Sequence, residues 1–125
     1  MAELIFIGFG GFLGAIARYA AGNYIHNKLE IHDFPIGILI VNIIGCYIIG
    51  VLSGIVETKD IFNENFRSLV FIGLLGSFTT FSTFSKDTFS MITQGNFGFA
   101  FLNIIISVLM GLVFVWLGYQ TAKFF

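Results

Sequence analysis

Charge is what this chain of 125 residues has least of: only 10% of its positions are Asp, Glu, Lys or Arg, while 57% are hydrophobic. A soluble domain carries about 25% charged residues, so the balance argues against a soluble enzyme and for an integral membrane protein, whose outer surface meets lipid. Proline and cysteine each occur once. The lone Cys46 excludes an intrachain disulfide. A net charge of −1 with no basic run leaves no footprint for nucleic acid and no polybasic segment for anionic lipid. Met1-Ala2-Glu3 lacks the positive start of a signal peptide, so the first apolar segment is expected to stay in the protein.

What is abundant is apolar sequence in long runs. Measured against the roughly 20 residues that a helix needs to cross a bilayer, the chain offers four spans, at about 4–25, 34–56, 66–94 and 97–125. The connectors are short: a polar one at His26–Asp33, a charged one at Glu57–Asn65 and a Gly95-Asn96 turn. Nothing is left over for a soluble domain, so residues 1–125 read as a single all-α transmembrane unit. Asp33 ahead of Phe34-Pro35 is the expected cap of the second helix, and Asn65 that of the third.

The third span is unlike the others. After Gly73 and Gly76, the run Ser77-Phe78-Thr79-Thr80-Phe81-Ser82-Thr83-Phe84-Ser85 puts six hydroxyls into nine residues at mid-membrane depth. Non-helical backbone is tolerated in a bilayer only where protein or a wet cavity surrounds it. A break near Gly76–Thr80, buried against another protomer, is therefore expected. The alternative is an unbroken helix whose Ser and Thr bond back to carbonyls one turn earlier. Gly10, Gly14 and Gly22, with Arg18 between them, recur at intervals of four on the first helix, and Gly50 and Gly54 repeat the pattern on the second. Both read as faces for close helix packing. The Gly8-Phe9-Gly10-Gly11 cluster follows no strand, so it is not a dinucleotide fingerprint.

Four spans place both ends of the chain on one side. That side holds Lys59, Arg67 and Lys123 against Lys28 on the other, with Arg18 and Lys86 inside spans toward the second side. So small a bias fixes no orientation. A chain that inserts both ways can form an antiparallel two-fold dimer, and four short helices enclose an aqueous path more easily at such an interface than alone.

Carboxylates and histidines are missing from the span centres, where a proton-coupled exporter needs one. Glu3 is terminal, Asp87 neighbours Lys86 and reads as a local charge pair near a vestibule, and His26 and His32 fall in the first connector as solvent-facing residues. Metal catalysis and a Ser-His-Asp triad find no constellation either. The polar groups left at depth are Asn42, the third-span hydroxyls, Asn103 and Ser107, with Arg18 nearer an end. Phe81 and Phe84 stand three apart, about 60° around a helix and so on one face, with Ser82–Ser85 and Thr79–Thr83 as neighbouring columns. Amide and hydroxyl donors can replace an anion's water, and the positive edge of a phenyl ring can face an anion where its face could not. Ordinary lipid or helix packing is the plainer reading of two Phe at this spacing. A buried Asn42 either glues helices or touches a permeant species.

Three stretches together resemble a known family: Gly11-Phe12-Leu13-Gly14-Ala15-Ile16-Ala17-Arg18-Tyr19, Gly37-Ile38-Leu39-Ile40-Val41-Asn42-Ile43-Ile44-Gly45, and the hydroxyl run from Gly76 to Ser85. In this order on a four-span chain they look like the fluoride channels called Fluc or CrcB, over essentially the whole length. The resemblance implies a passive fluoride-selective channel and no enzyme: an antiparallel dual-topology homodimer in the bacterial inner membrane, exporting fluoride from the cytoplasm to relieve its toxicity. It further implies two fluoride pathways and one structural Na+ on the dimer axis, at the breaks in the third helices. Asn42 would donate to fluoride, Phe81 and Phe84 would present ring edges, Ser82, Thr83 and Ser85 would supply hydroxyls, and Asn103 and Ser107 would continue the polar track. Carbonyls of Gly76 and Thr79 from both chains would hold the sodium, and Arg18 would be structural or vestibular. Ile38 stands where the family commonly has Thr, and Gly111 where a further hydroxyl often occurs. A small multidrug-type exporter of the same span count and a non-transporting membrane subunit are the competing classes.

Overall fold

The computed structural model describes all 125 residues, and every regular element in it is helical. Helix α1 is Ala2–Leu29, α2 is Ile36–Lys59, α3 covers residues 64–78, α4 is Phe81–Thr93 and α5 is Phe97–Ala122. Four helical spans are long and apolar enough to cross a membrane, α3 and α4 together forming the third as Glu64–Thr93. Leu4, Phe9, Phe12 and Ile16 on α1, and Phe101, Leu109, Leu112 and Trp116 on α5, stand exposed, as lipid-facing or protomer-facing side chains must.

Packing follows the glycines. Gly10 and Gly14 bring α1 onto the backbone of α3 at Leu69 and Leu74, where a Cβ would collide with main-chain atoms. Gly50 does the same against Val115 of α5, and Gly54 meets Ala122 and Tyr119. Gly118, on the facing helix, receives the backbone of Tyr47, a reciprocal contact that the spacing within α2 could not reveal. Helices α2 and α5 therefore run tightly together, α1 covers α3, and α4 packs on α2 and α5 alone.

The caps differ from expectation. Helix α2 begins at Ile36 with Pro35 at its cap position and no side-chain cap, while the Phe34 carbonyl accepts from Ile36 N–H at 2.8 Å. Proline biases the residue before it toward extended backbone, so Phe34 does not enter a first helical turn and Asp33 has nothing to cap. On α3 the cap is Asn63, whose side chain accepts from Phe66 N–H at 2.8 Å. That choice puts Glu64 in the first turn, where a carboxylate suits the helix dipole, and carries Asn65 inside the helix. Helix α1 runs past its expected end to Leu29, closing on Glu30 in the left-handed region. The turn at Gly95-Asn96 forms as expected, with Gly95 at φ +80°, Asn96 N–H on the Met91 carbonyl at 2.8 Å and Gly95 N–H on Ile92 at 3.0 Å. This double closure uses the conformation glycine adopts without strain.

The third span is broken. Ser68–Leu75 within α3 is π-helical, Gly76–Phe78 is α-helical, and Thr79 and Thr80 are extended, with ψ of 148° and 125°. Helix resumes at Phe81, capped by the Thr80 side chain.

Candidate functional site

The break is stitched by one side chain from the neighbouring helix. Asn42 on α2 accepts from Thr80 N–H at 2.9 Å through Oδ1 and donates from Nδ2 to the Thr80 carbonyl at 3.2 Å. An amide side chain thus replaces the helical partners that Thr80 forgoes, as burial of backbone in a span requires. Thr79 donates its hydroxyl back to the Leu75 carbonyl at 3.0 Å, on the far side of the break. The expected Thr79–Thr83 column consequently does not form, because the extended backbone separates the two. Thr80 takes that place: its hydroxyl lies 3.3 Å from that of Thr83 and 3.2 Å from that of Ser82, and caps Thr83 N–H.

Lower on α4 a second polar chain is buried. Thr88 donates to the Phe84 carbonyl at 2.8 Å and accepts from Asn103 Nδ2 at 2.9 Å, while Ser107 donates to Asn103 Oδ1 at 3.4 Å. Asn103 and Thr88 are 2% and 6% exposed. Thr88 falls outside the hydroxyl run and escaped the sequence reading. Its one available signal was its place a turn past Phe84, where Thr bonds back to the i−4 carbonyl.

Ile38, Asn42, Phe84, Asp87, Asn103 and Ser107, among others, line a tight cleft between α2, α4 and α5 that is too narrow for a water-sized sphere. Four expected pathway residues, Asn42, Phe84, Asn103 and Ser107, meet here. The cleft shares Ile38 and Asp87 with a wider vestibule of about 510 Å³, which Arg18, His26, His32 and Thr83 also line. Arg18 pairs with no carboxylate, since the salt bridges are Arg67–Asp60 at 2.5 Å and Lys86–Asp87 at 3.7 Å. Its guanidinium shares the vestibule with the carboxylates of Asp33 and Asp87, so the space carries fixed charge of both signs. The Lys86–Asp87 pair sits beside the vestibule as expected. His26 departs from its expected place in the connector: the longer α1 carries it into the helix's last turn, half-buried, with its ring 5.8 Å edge-on from that of His32.

Phe81, Ser82 and Ser85 line neither space. Phe81 is 79% exposed on the flank of the protomer, its ring centroid 5.6 Å from that of Phe84. Gly76 is exposed as well. Its carbonyl loses the helical partner one turn on, because Thr80 N–H has turned to Asn42, and the Thr79 carbonyl accepts no backbone amide. Two carbonyls without a backbone partner, those of exposed Gly76 and half-buried Thr79, thus flank the break.

The family model described as CrcB-like protein, Camphor Resistance (CrcB), matches residues 5–119. Among the relatives is a protein of Campylobacter lari named fluoride-specific ion channel FluC, 41% identical over 120 residues, which are 96% of this chain and 97% of that one. A FluC of Hydrogenovibrio crunogenus is 44% identical over 123 residues, 98% and 92% of the two chains. FluC 1 of Methanosarcina acetivorans is 38% identical over 118 residues, 94% of this chain and 88% of the relative. Matched from its first helix to its last, the chain belongs to the CrcB family.

Proposed function

We infer that the protein is a fluoride channel, a passive pathway and not an enzyme, working as a multi-pass protein of the bacterial inner membrane. The observation that carries this reading is the cleft itself: two asparagines, a phenyl ring and a serine converge at the depth of a broken helix, below a vestibule holding the unpaired Arg18. Fluoride is small and tightly hydrated, so it passes only where donors replace its water step by step. N–H groups of Asn42 and Asn103, the hydroxyl of Thr83 and the ring edge of Phe84 supply that replacement, with Ser107 holding the Asn103 carbonyl. Larger anions recover less of their hydration against a narrow, fixed donor set, which makes selectivity a dehydration balance. Hydrogen fluoride enters cells neutral and ionises inside, and the membrane potential contributes about 2.3 kcal/mol per 100 mV toward expelling each anion. A passive channel is therefore sufficient. The exporter reading wants a carboxylate at a span centre, whereas the one carboxylate lining the cleft, Asp87, lies in the last two turns of α4 and pairs with Lys86.

The working unit in this reading is an antiparallel homodimer. Phe81, Ser82, Ser85 and Gly76 have no role inside one protomer, and each becomes useful when a second copy closes the open face and completes two pathways. Oxygen ligands suit a hard cation, and the freed carbonyls of Gly76 and Thr79 fit a structural Na+ shared by both chains, two oxygens from each. Bound there, sodium would neutralise carbonyl dipoles that face one another across the axis.

The test is passive efflux from liposomes holding purified protein, with potassium ionophore present and no proton gradient. Fast fluoride loss with negligible chloride loss is the expected result. Fluoride movement only under an imposed proton gradient would make the mechanism coupled transport, and no movement at all would favour a non-transporting subunit.

A further inference from the structure

Helix α4 carries Phe81, Phe84 and most of the pathway hydroxyls, yet it packs on α2 and α5 alone. Two side chains of those helices hold it: Asn42, by two bonds to its cap residue Thr80, and Asn103, by one bond to Thr88. We propose that Thr88 is a positioning residue of the conduction pathway, fixing which end of the Asn103 amide meets the permeant anion. The inference rests on the channel reading above.

The orientation of the Asn103 amide turns on a single hydrogen. A threonine hydroxyl has one proton and two lone pairs. The Thr88 proton is committed to the Phe84 carbonyl at 2.8 Å, so toward α5 the oxygen offers only lone pairs. Asn103 can approach it only with its NH2 end, as it does at 2.9 Å. The carbonyl end of the same amide then points away and takes the Ser107 proton at 3.4 Å. Asn103 is left with its negative end occupied and one amide hydrogen without a protein partner, in a side chain that is 2% exposed and lines the cleft. An unpaired donor in so buried a place is costly unless something accepts from it, and an anion stripped of water is such an acceptor. Asn42 has the same arrangement: its carbonyl is satisfied by Thr80 N–H, and one Nδ2 hydrogen is spent on the Thr80 carbonyl. Both asparagines thus present a lone N–H to the same cleft, one oriented by backbone and the other by Thr88.

Without the Thr88 hydroxyl the Asn103 amide is free to turn over and offer its carbonyl, which repels an anion. Thr88→Val keeps the side-chain shape and removes the acceptor, whereas Thr88→Ser keeps the acceptor and removes a methyl. Fluoride efflux from liposomes, counted per active vesicle, is expected to fall about tenfold or more in Thr88→Val and to return to within about threefold of the parent in Thr88→Ser, with both variants eluting as the parent does. A purely structural threonine would instead lower the melting temperature of Thr88→Val while leaving efflux per active vesicle unchanged, and that result would overturn the proposal. Equal loss in the valine and serine variants would overturn it too. Should Thr88→Val not survive reconstitution, Thr88→Cys, whose thiol is a much weaker acceptor, takes its place under the same criteria. Absence of fluoride efflux from the parent protein would sink the channel reading itself, an outcome distinct from a conducting parent whose Thr88 variants behave alike.

Discussion

Asn42 and Thr80, on different helices, exchange two hydrogen bonds of 2.9 and 3.2 Å, as two residues of paired strands would. The break in the third span is therefore a recognised element with its own side-chain partner. Thr80 keeps its extended backbone inside the membrane because an amide outside its own helix satisfies both its N–H and its C=O.

Removing that amide should hurt stability and conduction together. Asn42→Leu leaves a donor and an acceptor unpaired at depth, at roughly 1–3 kcal/mol each, so unfolding in detergent should shift down by about 2–6 kcal/mol. Fluoride efflux should be lost as well. A variant as stable as the parent would mean that water or a rearranged backbone satisfies Thr80.

Phenyl edges make a different prediction, because shape can be changed without unpairing anything. Phe84 lines the cleft and Phe81 leans on it from the exposed flank, 5.6 Å away between centroids. Phe81→Ile and Phe84→Ile should each reduce fluoride efflux by about tenfold, the order expected for a lost interaction of 1.4 kcal/mol, while the protein still elutes as an assembled species. Unchanged flux in Phe84→Ile would remove the ring edge from the mechanism. Unchanged flux in Phe81→Ile alone would show that the partner protomer does not bring this ring to a pathway.

Helix packing predicts a contrast between two glycines on one helix. A Cβ on Gly14 would run into the main chain of Leu74, whereas one on Gly8 meets nothing within 4 Å. Gly14→Ala should cost about 1–3 kcal/mol or more, as overpacking against rigid backbone does. Gly8→Ala should be neutral or stabilising by up to about 1 kcal/mol through helix propensity. Thermal melts of the two variants, made side by side, check the contrast.

Much of this was legible in the sequence because the bilayer imposes period-free apolar runs of fixed length. The spans, the glycine faces, the break near Gly76–Thr80 and the Gly95 turn all follow from composition and spacing. Caps were not legible at that level. Asp33 and Asn65 have the right chemistry, but Pro35 and Glu64 decided the starts, and those choices depend on backbone geometry one residue away. The π-helical stretch at Ser68–Leu75 carries no compositional signal, since its side chains are those of any apolar helix. In the site, Asn42, Asn103 and Ser107 were found because polar residues at depth need partners. Thr88 was missed because a threonine near a helix end looks ordinary until the residue opposite is known. The exposed positions of Phe81 and Gly76 would be accounted for by the second chain of the proposed dimer, and a single chain's pattern cannot supply such a face.

Ile38 offers a gain-of-function test. It lines both the vestibule and the cleft, and the sequence resemblance would put a threonine there. An isoleucine contributes no donor, so in the proposed pathway an anion would pass from the vestibule to the N–H groups of Asn42 and Asn103 with one rung absent. Ile38→Thr is smaller, fits the same space and adds a hydroxyl. It should raise fluoride efflux by about three- to tenfold, the effect of a hydrogen bond worth roughly 0.7–1.4 kcal/mol at the barrier, with chloride still excluded. Gly111→Ser serves as the comparison on α5. Its Cβ would meet Cys46 Sγ at an ordinary 3.5 Å, so it should fold. Because Gly111 lies outside the cleft, it should change efflux less than Ile38→Thr does. A faster Gly111→Ser with an unaltered Ile38→Thr would move the rate-limiting step from the vestibule junction to the far end of the track.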